Sequence, residues 1–186
     1  MDAVAAGLTQ VCHLFDTFDG RLVDSGVSQP SLADIVLVEP RLQPEIILDG
    51  IHVPQELVRL AHLAATSERL IAITDALPGA GLPDGTYAMA DGRPFSVRND
   101  DVARLEDGSI VGSCLTMNRV ARNMLERFGF TPLEVARMTA ENPARAIGID
   151  GQTGSLVPGK DADIVRLGTD FRVRQTWVKG VCAYEQ

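Results

Sequence analysis

One stretch decides the fold, Glu45 to Thr74: EIILDGIHVPQELVRLAHLAATSERLIAIT. It opens on a continuous apolar run, Glu45 to Leu48, and closes on another, Leu70 to Thr74. Neither alternates polar with apolar residues, and strands buried on both faces of a parallel sheet read this way. The segment between them, about Pro54 to Glu68, predicts a helix. Pro54 suits a first helical turn, and Leu57, Leu60, Ala61 and Ala64 form an i, i+3, i+4, i+7 stripe for burial.

Working outward, Leu8 to Phe15 (LTQVCHLF) reads as an earlier strand. A shorter helix is expected from Ser31, with Leu32, Ile35 and Val36 on its buried face. The order strand, helix, strand, helix, strand predicts parallel βαβ units and an α/β fold. After Thr74 the pattern changes. Asp84-Gly85, Asp91-Gly92 and Asp107-Gly108 are turn dipeptides that separate Thr86–Met89, Pro94–Arg98 and Val102–Leu105, a small β excursion at about 84–111. Two helices follow, Thr116 to Arg127 and one that opens with Thr131 as N-cap, Pro132 at N1 and Glu134 at N3, a capping box. The second should run to about Ile147, with Gly148 closing it. Ser155–Val157, Asp163–Leu167 and Arg174–Val178 read as short antiparallel strands. The expected division is therefore an α/β part over 1–150 and a β tail over 151–186.

Composition narrows the class of partner. The chain has 186 residues, enough for one domain with a real core, and a net charge of −8. It has no basic run to neutralise a nucleic-acid backbone, although one local arginine suffices for a single phosphate. No apolar run reaches the roughly 18 residues of a membrane helix. The first residues lack the basic start of a secretory signal. Cys12, Cys114 and Cys182 are odd in number and far apart, so neither a disulfide framework nor a zinc knuckle is expected, and a reducing cytoplasm is the expected location. Cys12 is expected to pack as a small apolar residue, and His62 as a packed or half-exposed helix histidine.

Each apolar run ends in residues capable of chemistry: His13 and Asp16, then Asp49-Gly50-Ile51-His52, then Thr74-Asp75. The spacings, 36 residues from 13 to 49 and 26 from 49 to 75, are about one βα unit each. Parallel strands present their C-terminal ends on one face, so His13, His52 and Asp75 should meet there. Histidine and carboxylate at such a face can bind a divalent metal or pass a proton to and from water.

The motifs CHLF (12–15), DGIHV (49–53), TDA (74–76) and GSCLTM (112–117) occur in the order found in N-acetylglucosamine-6-phosphate deacetylases, which the chain resembles. NPARAIG (142–148) and GSLVPGKDADIV (154–165) are similar to segments shared across the wider amidohydrolase superfamily. The resemblance implies the C-terminal part, about strands 6–8, of a (β/α)8 TIM barrel, followed by strands of a small β-sandwich. It implies hydrolysis of the acetamide of N-acetylglucosamine 6-phosphate to glucosamine 6-phosphate and acetate. His13 would be a metal ligand, His52 a substrate contact, Asp75 the catalytic proton carrier, and Leu115 and Met117 part of a loop over the sugar that offers backbone groups more than side chains. The metal would be zinc or iron. Its other ligands would precede residue 1, so this chain alone is expected to hold it poorly, and to be a fragment, a split subunit or a degenerate protein.

Two residues bear on the phosphate. Asp16 stands where the family usually has asparagine, and a carboxylate repels a phosphate. Arg21 is the best candidate for the phosphate-binding arginine, which in the family often reaches into the neighbouring subunit. A homodimer is expected from the family. Two other readings stay open: an amidohydrolase acting on another N-acetyl amino sugar or a cyclic amide, and a non-catalytic α/β domain that self-associates.

Overall fold

A computed structural model describes residues 2–18, 20–98 and 101–186. A short helix α1 (Asp2–Ala5) leads into strand β1 (Gln10–Val11). A small hairpin follows, β2 (Val23–Asp24) and β3 (Val27–Ser28), then helix α2 (Leu32–Val38), strand β4 (Gln43–Ile47), helix α3 (Gln55–Arg69) and strand β5 (Ile71–Ile73). Strands β1, β4 and β5 form a parallel sheet in the order β1-β4-β5, with Gln10 opposite Gln43 and Ile46 opposite Ala72. The parallel βαβ order read from the sequence is thus present.

Alternation along the strands turns Ile46, Leu48 and Ala72 toward the helices, where they share one core with Val36, Leu37, Val58, Ala61 and Ala65. Several expected details differ. The first strand is only Gln10–Val11, because His13 (φ 34°) and Phe15 (φ 74°) leave the extended region. The buried stripe of α3 is Val58, Ala61 and Ala65, while Leu60 is exposed. That helix is apolar on more than one side, so periodicity alone was degenerate, and the sheet took the side whose small residues allow close approach. Leu32, the first residue of α2, is exposed, and Ala33 and Leu37 join Val36 in its place. Cys12 is exposed rather than packed.

The excursion is an antiparallel meander of four strands: β6 (Gly85–Ala88), β7 (Pro94–Val97), β8 (Val102–Arg104) and β9 (Ile110–Ser113). It buries its own small cluster, with Phe95, Val97, Ala103 and Cys114 inside. β9, like β2, β3 and the last strand of the chain at Val181–Glu185, is a strand the sequence reading missed. It pairs with β8 across the Asp107-Gly108 turn, where Asp107 accepts from the Ser109 amide and Gly108 takes φ +84°.

Helix α4 (Met117–Glu126) starts at Thr116, and α5 (Pro132–Ala136) opens with the predicted capping box. The Thr131 amide donates to Glu134, and the Glu134 amide donates to the Thr131 hydroxyl. From Arg137 to Glu141 the helix widens into a π-turn before α6 (Asn142–Ala146). The second residue of α6 is Pro143, which has no N–H and crowds the preceding turn, and a π-turn relieves both conflicts. The NPARA segment then acts on α3. That helix breaks at Thr66 (φ 56°, ψ 170°), leaving carbonyls exposed near its end. Buried Asn142 donates to the carbonyls of Ser67 and Leu70, each at 2.7 Å, and Arg145 donates to that of Glu68.

The tail is a second antiparallel meander, β10 (Ile164–Leu167), β11 (Val173–Val178) and β12 (Val181–Glu185). Ser155–Val157 is not a strand; Gly154, Pro158 and Gly159 keep that segment a turn. Gly154 has φ +90°, and a Cβ there would lie 2.6 Å from the Ala144 Cβ and 3.0 Å from the Ala140 carbonyl oxygen. Gly154→Ala is therefore expected to destabilise the chain by about 3 kcal/mol, from left-handed strain plus overpacking against the helix backbone. Urea unfolding with an unchanged m value would show it.

Candidate active site

The sequence places polar residues at the ends of three strands, and the backbone there is unusual. His13 and Asp75 have φ of 34° and 47°, and Phe15 and Thr17 have φ of 74° and 57°. Non-glycine residues in this region cost about 1 to 3 kcal/mol each and concentrate where a site requires them. The turn after β1 is held to the neighbouring strand by the Leu14 amide, which donates to the Glu45 carbonyl at 2.7 Å. His13 is half-buried, and its Nδ1 is buried without a hydrogen-bond partner among the described residues. An unpaired buried ring nitrogen is costly unless something outside the described residues meets it.

After β4 the chain makes a tight loop around Asp49. One carboxylate oxygen accepts from the amides of Ile51 (2.8 Å) and His52 (2.9 Å). The other accepts from Nδ1 of the His52 ring at 2.5 Å. The Asp49 side chain is fully buried and that of His52 nearly so. Burial pushes the Asp49 carboxyl up, but the His52 ring and the two amides overcome it and hold it below its ordinary value. The bond from Asp49 raises His52 above its ordinary value against the opposing effect of burial, and the charges of Asp49, Asp16 and Asp75 add to it. Those last two charges matter for geometry: the ends of all three strands lie within electrostatic reach of one ring.

Cys12 faces Glu45 across the same sheet. Burial pushes its thiol up, as do a hydrogen bond and the charge from Glu45 and the charge of Asp75. A thiol held protonated is a poor nucleophile.

The loop at 112–117 is brought beside Asp75 by a parallel bridge between Ala76 and Ser113, with the Leu77 amide donating to the Ser113 carbonyl at 2.8 Å. Leu115 is buried in the main core, so its side chain does not reach a ligand and only its backbone remains for one. Met117 is partly exposed and lines a groove with Thr139, Val165 and Val173, facing the tail sheet. Arg21 makes a bidentate pair with Asp34, at 2.8 and 2.6 Å. Asp34 also caps α2, and the Arg21 and Ser31 bonds hold its carboxyl well below the usual range. The charge of Arg21 is thus already neutralised, and the structure does not bring it to His13, His52 and Asp75. His62, as expected, is a half-exposed helix residue, paired with Glu134 at 2.8 Å and set edge-on to Phe130.

Three residues with a part in the site were missed. Asp49 was noted as a strand-end residue, but not as the partner of His52. Its i, i+3 spacing to the histidine and the following glycine were the available signal. Asn123 and Arg127, on and just after α4, had none: Asn123 donates to the Leu48 carbonyl, and Arg127 to those of Asp49 and Gly50.

Among the described residues no group of three or more His, Cys, Asp or Glu side chains is arranged to hold a metal ion. His13 can supply one donor, but a divalent site needs about three or four, so the described residues do not by themselves fit a metal centre.

Parallel strands whose C-terminal ends collect histidines and an aspartate are in keeping with the amidohydrolase class, and the chain belongs to the amidohydrolase family, whose model matches residues 11–182. Within it the chain is similar to the N-acetylgalactosamine-6-phosphate deacetylase of Escherichia coli O157:H7, 38% identical over 83% of this chain and 40% of that protein. It is also similar to the N-acetylglucosamine-6-phosphate deacetylase of Bacillus subtilis, 36% identical over 98% of this chain and 45% of that protein. A crystal structure of the Mycobacterium smegmatis N-acetyl-D-glucosamine-6-phosphate deacetylase, a mutant in complex with N-acetyl-D-glucosamine-6-phosphate, superposes with a TM-score of 0.81. That match is 31% identical and covers 97% of this chain and 46% of that one. The chain thus spans less than half the length of these three, while an Escherichia coli K12 relative is covered over 91% of its length.

Proposed function

We propose that this chain carries the proton-transfer and substrate-binding side of a deacetylase for N-acetylhexosamine 6-phosphates. The observation that carries the reading is the convergence of His13, His52 and Asp75 at the ends of three adjacent parallel strands, within the charge environment of one ring. The similarity to deacetylases of both N-acetylglucosamine 6-phosphate and N-acetylgalactosamine 6-phosphate supports an N-acetyl amino sugar phosphate as substrate.

In this reading β1, β4 and β5 are consecutive strands of a (β/α)8 barrel, and the 164–185 sheet belongs to a small β-sandwich. Water adds to the acetamide carbonyl and the C–N bond breaks, giving acetate and the free amine. Asp75 accepts the proton of the attacking water and returns it to the departing nitrogen. His52 contacts the sugar phosphate by accepting from one of its hydroxyls, and the backbone of 112–117 lies over the sugar. The family is generally dependent on a divalent metal. His13 would be one ligand to zinc or iron, and the others must come from outside the described residues. A homodimer is the assembly this reading favours.

One observation favours a second reading. The carboxylates of Asp16 and Asp75 both act on His52, and Arg21 is neutralised by Asp34. A surround this acidic suits an uncharged N-acetyl amino sugar better than a phosphorylated one.

The test is acetate release from N-acetylglucosamine 6-phosphate, N-acetylgalactosamine 6-phosphate and the two free sugars, with zinc or ferrous ion. It is run on the chain alone and on the chain mixed with a separately expressed N-terminal half from a relative. We expect activity only in the mixture, and faster on the phosphates. Equal rates on phosphorylated and free sugars would remove the phosphate from the assignment. No release from the mixture, with metal bound, would remove the deacetylase reading.

A further inference from the structure

The fold spends more on the Asp49 loop than a turn needs. An aspartate that only shapes a loop uses one oxygen on the amides two and three residues on, as Oδ1 does here with Ile51 and His52. Its second oxygen is then normally left to solvent. In this chain the second oxygen is buried and given wholly to the ring of His52.

The loop is also pinned from behind. Asn123 donates to the Leu48 carbonyl at 2.9 Å, and Arg127 donates to the Asp49 and Gly50 carbonyls at 2.9 and 2.8 Å. Gly50 takes φ +72°, and a Cβ there would sit 2.2 Å from the Arg127 Cζ, so the guanidinium occupies the space a side chain would fill. Three consecutive carbonyls held by one helix leave the carboxylate little freedom. The ring it holds is correspondingly fixed.

We propose that Asp49 is a positioning residue that acts through His52, locking the ring with its proton on Nδ1 and reserving Nε2 as the acceptor for a hydroxyl of the substrate. This deepens the deacetylase reading and rests on it for the identity of the ligand. The acceptor is an ionised carboxylate, which can only accept, so the ring must donate from Nδ1. No hydrogen bond engages Nε2 among the described residues, and the charged groups that act on the ring besides Asp49 are Asp16 and Asp75. A histidine fixed at one nitrogen by a buried carboxylate presents the other in a defined tautomer and direction.

The test separates this role from a merely structural one. In Asp49→Asn the side-chain oxygen can keep both amides, which turns the new NH2 toward Nδ1. The ring nitrogen must then accept, and the proton moves to Nε2. Long-range 1H–15N spectra of the chain read this directly. It has three histidines, and His52→Gln identifies the signal of interest. We expect Nδ1 protonated in the wild type and Nε2 protonated in Asp49→Asn, with the rest of the spectrum retained. If Asp49→Asn does not fold, Asp49→Ser offers a hydroxyl to the same amides and should leave the tautomer mixed. Wild-type His52 protonated on Nε2 alone, or a tautomer unchanged by either variant, overturns the proposal. None of these readouts depends on activity, so they stand even if the deacetylase reading falls.

In an active assembled enzyme, Asp49→Asn is expected to raise KM about tenfold or more, with a smaller effect on kcat, because Nε2–H can no longer accept from the substrate hydroxyl and a buried polar group is left unpaired. In a His52→Gln background the same change should do little more. An undiminished second loss there would mean that Asp49 serves the loop and not the ring.

Discussion

Exchange of Asp75 for asparagine is expected to lower turnover of the assembled enzyme by about 1,000-fold, within the range for removal of a general acid–base group. The carboxylate is asked to take a proton from water during attack and to give it back to the leaving nitrogen. An amide of the same shape does neither. The substitution isolates the charge because asparagine is among the few residues that accept the left-handed backbone found there, φ 47°. Asp75 is also exposed, so no buried partner is lost. The measurement is kcat for acetate release, together with urea unfolding of the variant. Lost turnover with retained stability supports the role, and retained turnover removes Asp75 from the mechanism. His52 should respond as well: with one of its neighbouring negative charges gone, its titration midpoint should fall.

Arg69→Met is expected to cost about 3 kcal/mol of stability, on the order of one per carbonyl left without its donor. Arg69 ends α3 and reaches across the layer. Its Nη1 donates to the carbonyls of Glu39 and Leu42 at 2.7 and 2.8 Å, and its Nη2 to that of Leu37 at 2.6 Å. All three belong to buried residues at the end of α2 and the approach to β4. Helix C-termini leave such carbonyls open, and an arginine is suited to close several at once. Methionine keeps the length and apolar stem of the side chain but donates nothing. Equilibrium urea unfolding checks the value. A loss below about 1 kcal/mol would mean that water replaces the guanidinium at little cost.

The candidate site was legible to the extent that it depends on position along strands. His13, His52 and Asp75 were singled out because each lies near the end of an apolar run or within four residues after it, and parallel strands bring such positions to one face. Leu115 and Arg21 show what position along the chain leaves open. A loop motif says which backbone lies near a ligand but not which way its side chains turn, and Leu115 turned into the core. Arg21 found a nearer anion in Asp34, 13 residues on, which a spacing argument does not rank against a ligand. The stripe of α3 shows the same limit in the fold: two apolar faces satisfied the period, and packing chose between them.

What the sequence by itself determined was local and periodic: the parallel βαβ order, the capping box at Thr131, the turn dipeptides of the meander, and chemically capable residues at three strand ends. Each rests on propensities and hydrogen bonds that span a few residues, so each is visible in the string. Tertiary structure alone decided what those residues can do. The Asn123 and Arg127 clamp joins residues 75 to 78 positions apart. The Asn142 staple joins residues 72 and 75 apart. Such bonds form only when packed layers bring a donor to a carbonyl that has lost its own partner. The ring of His52 is in the sequence; its fixed orientation is a property of the buried carboxylate and the helix behind it.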